Sequence, residues 1–165
     1  MILTRKDILE EIKKGTLKII PFDPKNVGPV SVDLTLWNEF RIFTKDTIDL
    51  KKDDFRKVTR LIKADKIEIK PDELILGITK EELILPDNIV GKLSGRSRYA
   101  RMGLIVHMTS NLVLPGCRNR QVLEIKNASN SNMILYKGLK LCQIMFDKLE
   151  SRARYRGEFH NQMDL

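Results

Sequence analysis

The residues able to do chemistry cluster between Gly91 and Asn127, in GKLSGRSRYARMGLIVHMTSNLVLPGCRNRQVLEIKN. Lys92, Arg96, Arg98, Arg101, Arg118 and Arg120 place six cations there, and no Asp or Glu occurs from Asn88 to Leu123. One acid, Glu124, then interrupts the apolar run Val122-Leu123-Glu124-Ile125. A cationic loop with small residues such as Gly95 and Ser97 suits a phosphate, because arginine offers a planar fork of donors. A lone carboxylate beyond it, if partly buried, becomes a group able to take up and release protons. The two together point to a phosphorylated small molecule and one acid-base group. Each feature also has an ordinary reading, as a solvated basic face and an outward-facing strand residue.

Composition agrees with that chemistry. At 165 residues and 42% hydrophobic, the chain has enough apolar material for one domain with a core. A formal net charge of +8 favours an anionic partner, either nucleotide or nucleic acid. Nucleic acid is the weaker choice, since aromatics are only 6% and no stacking platform is apparent. Cys117 and Cys142 are the two cysteines and form no CxxC, so neither a disulfide framework nor a cysteine zinc site is indicated. No signal peptide and no membrane span is evident, which fits a cytoplasmic protein.

The elements that must hold these residues are mostly strands. Thr4 to Lys14 has Ile8, Leu9 and Ile12 on one face and predicts a short N-terminal helix with Thr4 as its cap. After it, short apolar runs separated by turn residues predict strands. They are Thr16–Ile20, Ser31–Leu36, Phe40–Phe43, Val58–Ile62, Ile67–Ile69, Leu74–Thr79, Ile89–Leu93, Leu104–Met108, Gln121–Ile125, Met133–Tyr136 and Lys140–Phe146. Glu81 to Leu85 fits a helical turn or a strand. This pattern predicts an all-β sandwich or barrel over residues 1–150. The segment 151–165 is polar and basic. It reads either as a frayed end or as a flap whose Tyr155, Phe159 and Gln162 order over a ligand.

The run Gly95-Arg96-Ser97-Arg98-Tyr99-Ala100-Arg101-Met102-Gly103, with Pro115-Gly116 and Leu123-Glu124-Ile125-Lys126-Asn127, resembles the nucleotide motifs of the dCTP deaminase and dUTPase family. Ser31-Val32-Asp33-Leu34-Thr35-Leu36 resembles that family's N-terminal strand. The resemblance implies an all-β, distorted jelly-roll subunit of the dUTPase-like β-clip type, with a short N-terminal helix. It implies a homotrimer or hexamer with active sites at subunit interfaces, a deoxypyrimidine triphosphate substrate, and Mg²⁺ carried by the triphosphate. The deaminase branch converts dCTP to dUTP and ammonia, and some members continue to dUMP. The dUTPase branch converts dUTP to dUMP and pyrophosphate, and a non-catalytic nucleotide-binding homologue is a third reading.

Zinc deaminases carry H-x-E with a later P-C-x-x-C, and neither occurs here. By resemblance, Glu124 takes the proton from water, while Ser97 and Arg101 orient water and base. Arg96, Ser97, Arg98 and Arg101 hold the nucleotide, the backbone at Val122 and Leu123 reads the pyrimidine edge, and Tyr155 and Gln162 close over it. Several positions depart from the family pattern. Leu114 replaces an Asp that contacts the sugar, Cys117 to Arg120 replaces an aromatic-glycine turn, and Glu158 replaces a phosphate-facing Lys. His107 reads as a satisfied core or interface histidine, Cys142 as core, and Trp37 as one that simply packs.

Overall fold

Only one segment combines helical spacing with a cap, and it forms helix α1, Arg5–Lys13, in a computed structural model that describes residues 1–165. Asp7 Oδ2 accepts from the Thr4 amide at 2.9 Å and from the Thr4 hydroxyl at 2.6 Å, fixing the first turn. Ile8 enters the core, with Leu9 and Ile12 packed against it.

The remaining regular structure is strand, apart from the single-turn helices α2 (Phe55–Val58) and α3 (Ser97–Ala100) and a 3₁₀ turn at Pro24–Asn26. The strands are β1 (Lys18–Ile20), β2 (Val32–Leu34), β3 (Leu36–Phe43), β4 (Thr59–Lys63), β5 (Lys66–Ile69) and β6 (Leu74–Ile84). They continue as β7 (Ile89–Gly95), β8 (Leu104–Val106), β9 (Leu112–Val113), β10 (Arg118–Asn127), β11 (Met133–Tyr136) and β12 (Cys142–Lys148). One sheet runs β4-β3-β6-β10-β8 with β1 added to β6, a second runs β2-β12-β7-β9, and β5 pairs with β11. Every named pairing is antiparallel. Both larger sheets feed one apolar core, in which Phe40, Ile75, Leu83, Leu123 and Ile125 of the first meet Leu34, Ile89, Ile144 and Phe146 of the second. This is the all-β architecture with an N-terminal helix that the sequence predicts. No helix is long and apolar enough to cross a membrane.

The differences are local. Glu81 to Ile84 is strand, because β6 is paired on both sides there, with β1 and with β10. The strand expected from Val58 starts at Thr59, since Val58 closes α2. The strand expected to reach Met108 stops at Val106, where His107 turns the chain with φ +62°. Helices of one turn and the two-residue β9 carry too few residues for periodicity to reveal them.

Candidate active site

Alternation along β10 decides where Glu124 points. Gln121, Leu123, Ile125 and Asn127 are buried, while Val122, Glu124 and Lys126 sit half-buried on the opposite face. A register slip of one residue would send the carboxylate into the core. The turn after β8 wraps the carboxylate. Glu124 Oε2 accepts from the Met108 amide at 2.9 Å and the Thr109 amide at 3.0 Å, and the Thr109 hydroxyl lies 3.2 Å from both oxygens. The His107 amide donates to the Glu124 carbonyl at 2.7 Å, which ties this turn to the strand. Backbone donors leave no sequence signature, so this cradle was not legible from residue types.

Glu124 lines a cleft of about 330 Å³, a size suited to a small-molecule ligand. Val122, Tyr155 and Gln162 line it as well, as do Leu114, Cys117, Asn119, Arg120 and Gln121. His107 also faces it, half-buried rather than packed in the core, with Nε2 2.5 Å from the Ser110 carbonyl and Nδ1 buried without a partner. Leu114 is therefore an apolar wall where a carboxylate was expected. Cys117 is buried at that wall, and burial pushes its thiol up to about 11. Cys142 is fully buried in the core, as expected.

The outer edge of β10 is divided into three parts. Its start is taken by the tail, since Arg118 and Arg120 amides each donate at 2.9 Å to the His160 and Gln162 carbonyls. Its end pairs with β8 from Ile125 onward, and His107 takes the Glu124 carbonyl. Between them the edge at Val122 and Leu123 is left uncovered by either partner. The Leu123 side chain is fully buried, and along its other edge Leu123 is paired with Gly77 of β6.

The tail is docked, not frayed. Tyr155 donates its amide to the Pro115 carbonyl at 2.9 Å, and Asn119 Nδ2 donates to the Phe159 carbonyl at 3.0 Å. Leu165 is buried against Leu76 and Ile78, with Trp37, Phe43, Phe55 and Val122 around it. Buried Arg41 donates from Nη2 to the Leu165 carbonyl at 3.0 Å. Trp37 thus packs over the tail, with Lys137 Nζ 4.9 Å from its ring centre. Glu158 is exposed.

The motif around α3 is placed apart from the cleft. Ser97, Arg98 and Arg101 are exposed and do not line it. Arg96 pairs with Asp33 at 3.2 Å and reaches the Lys140 carbonyl at 3.4 Å, so its guanidinium is partly committed inside the chain. Gly103, at φ +86°, lets the chain leave α3. A Cβ there would lie 2.9 Å from Ser129 Cβ. Asn127 buttresses the same corner, donating to the Ile69 and Ser131 carbonyls and accepting from Ser129. The glycine and asparagine of the motif are structural, and they fix α3 relative to β10. One chain brings Glu124, Val122, Leu123, Tyr155 and Gln162 together. It holds Ser97, Arg98 and Arg101 on a separate face.

Comparison with known proteins narrows the class. The chain matches the family model described as dCTP deaminase-like over residues 2–149. A protein of Dictyoglomus thermophilum named "dCTP deaminase, dUMP-forming" is 36% identical over 176 residues, covering 98% of this chain and 91% of that one. One of the same name from Mycolicibacterium vanbaalenii is 36% identical over 160 residues, covering 94% and 84%. Among solved structures, the 2′-deoxycytidine 5′-triphosphate deaminase of Agrobacterium tumefaciens aligns with a TM-score of 0.71 at 20% identity, over 90% of this chain. This chain spans about half of that structure, 48% of its length. A phage phi11 dUTPase, described with a structural Mg(II) ion, aligns at TM-score 0.54 and 15% identity over 87% of this chain and 97% of that one. These two share the fold. The chain belongs to the dCTP deaminase-like family.

Proposed function

We propose that this chain hydrolyses dCTP at C4 of the cytosine, releasing ammonia and forming dUTP. The single observation that carries the reading is Glu124, held by the Met108 and Thr109 amides in a cleft beside an unpaired strand edge. The Val122 and Leu123 backbone offers that edge to the pyrimidine, as one strand offers hydrogen bonds to the next. Glu124 accepts a proton from water as the water oxygen bonds to C4, and it delivers that proton to N3. The proton of the new C4 hydroxyl then passes through Glu124 to the amine, the C4–N4 bond breaks, and ammonia leaves behind a C4 carbonyl. The relatives' printed product, dUMP, supports a second hydrolysis on the same nucleotide. Leu114 carries no oxygen, so that step takes its water-positioning group from elsewhere in the cleft. For the same reason dUTP hydrolysis alone is the weaker reading.

The remaining parts of the site come from a second copy of the chain. Ser97 and Arg101 are assigned to orient base and water, and Arg96 and Arg98 to the phosphates, across a subunit boundary. Two observations support this. The α3 side chains stand away from their own cleft, and apolar Met102 and Ile105 lie exposed beside them. A closed homotrimer, or a hexamer of two, satisfies every copy alike. Tyr155 and Gln162 close the cleft over the nucleotide, as their place in its lining supports.

Mg²⁺ enters with the triphosphate. The protein has no group of three or more His, Cys, Asp or Glu able to cage a metal. Magnesium bound largely through phosphate oxygens and water requires no such cage, so the residues fit it. The ion neutralises phosphate charge, and the chain's own part is the arginines of α3. Glu124→Gln tests the assignment. Ammonia release from dCTP is expected to fall by at least about 10²-fold, with nucleotide affinity retained. Ammonia release at the original rate would overturn it.

A further inference from the structure

We propose that Gln121 Oε1 reads the 3′-hydroxyl of the substrate's deoxyribose, supplying the acceptor that Leu114 lacks. The inference rests on the dCTP reading above. Gln121 lines the cleft and is only 8% exposed, and its amide donates to Thr79 Oγ1 at 2.9 Å. A chain of hydrogen bonds sets which end of its side chain is free. The Phe159 carbonyl can only accept, so Asn119 presents Nδ2 to it, at 3.0 Å. Asn119 Oδ1 is thereby an acceptor, and Gln121 must give it Nε2, at 2.6 Å. That leaves Oε1 as the free end, with no hydrogen bond to a donor of the chain. An amide oxygen left open at the wall of a cleft, on a side chain otherwise buried, is placed to accept from a ligand.

The substrate has few donors to give. Ionised phosphates only accept. The donor of the cytosine base is its 4-amino group, which belongs beside Glu124. Gln121 lies three residues before Glu124, roughly 10 Å along the strand at about 3.3 Å per residue. It belongs to the other face of β10 and reaches the cleft away from the carboxylate, which leaves the sugar, not the base, within its reach. Deoxyribose esterified at its 5′ position keeps one hydroxyl, at 3′. The amide pair also links recognition to the tail, because Phe159 orients Asn119 and Asn119 orients Gln121.

The test compares dCTP with 2′,3′-dideoxycytidine triphosphate, each with Mg²⁺, by kcat/KM for ammonia release. The unaltered protein is expected to prefer dCTP by about tenfold or more. Gln121→Met, close in volume, should bring that preference toward one. Leu114→Asp in the Gln121→Met background should restore it. Equal turnover of both substrates by the unaltered protein overturns the assignment without any variant. So does an undiminished preference in a folded Gln121→Met protein. Turnover of neither substrate overturns the dCTP reading, and this one with it.

Discussion

Glu124 owes its place to alternation in β10 and its orientation to two amides of the turn at Met108 and Thr109. The residue type and its cationic neighbourhood were legible in the sequence, and so was the change at Leu114. The cradle was not, because any residue type supplies a backbone amide. Gln121 and Asn119 escaped notice for another reason: they flank Arg120 in a strand pattern whose alternation assigns Gln121 to the core, and only the fold opens that position to the cleft. Single carboxylates also add to the stability of the fold above the acid range. Hydrogen bonds from Thr4 to Asp7, Thr16 to Glu11, Lys45 to Asp53 and Lys92 to Asp147 hold these four below the usual carboxylate range. A lowered folded value stabilises the fold above the unfolded value, and the gain is lost as pH falls through the folded one. Melting temperature should therefore be level near neutrality and drop below about pH 4. A melting temperature unchanged down to pH 2.5 would show that these pairs contribute nothing.

At the scale of elements, β10 is the organising strand. β6 covers one edge of it, and the other edge is shared by the tail, an open gap and β8. Apolar patterning made the helix and most strands legible, since a core of Leu, Ile, Val and Phe requires it. It could not show how the tail closes, because 151–165 carries almost no periodic apolar signal. Beyond its hydrogen bonds to β10 and Pro115, the tail is anchored at its end by a buried arginine and one apolar side chain, Arg41 and Leu165. Arg41 also reaches Thr59 Oγ1 at 3.3 Å and lies 5.6 Å from the Phe55 ring centre. Arg41→Met should loosen the tail. Trypsin should then cut at Arg152, Arg154 or Arg156 several times faster, and the KM for nucleotide should rise more than kcat falls. Cleavage and KM at their original values would mean that the tail is held without this anchor.

At the scale of the whole molecule, the Arg-Ser motif and the Glu motif lie on different faces of one subunit. The sequence joined them by resemblance, and their separation in the fold supports the proposal that they act between copies. Mixing subunits tests this arrangement. Glu124→Gln and Arg101→Ala trimers should each be nearly inactive. Co-refolded together, they should regain up to about a quarter of the original rate, because some interfaces then pair an intact Glu124 with an intact Arg101. No recovery in a mixed trimer would place both residues in the same subunit's site. Beneath this lies the claim that cytosine in dCTP is the group attacked. The direct measurement is separation of the nucleotides after incubating the protein with dCTP and Mg²⁺, with ammonia assayed in parallel. One ammonia is expected for each dCTP consumed, with dUTP as product or, after the second hydrolysis, dUMP and pyrophosphate. Intact dCTP beside an active conversion of dUTP to dUMP would contradict it.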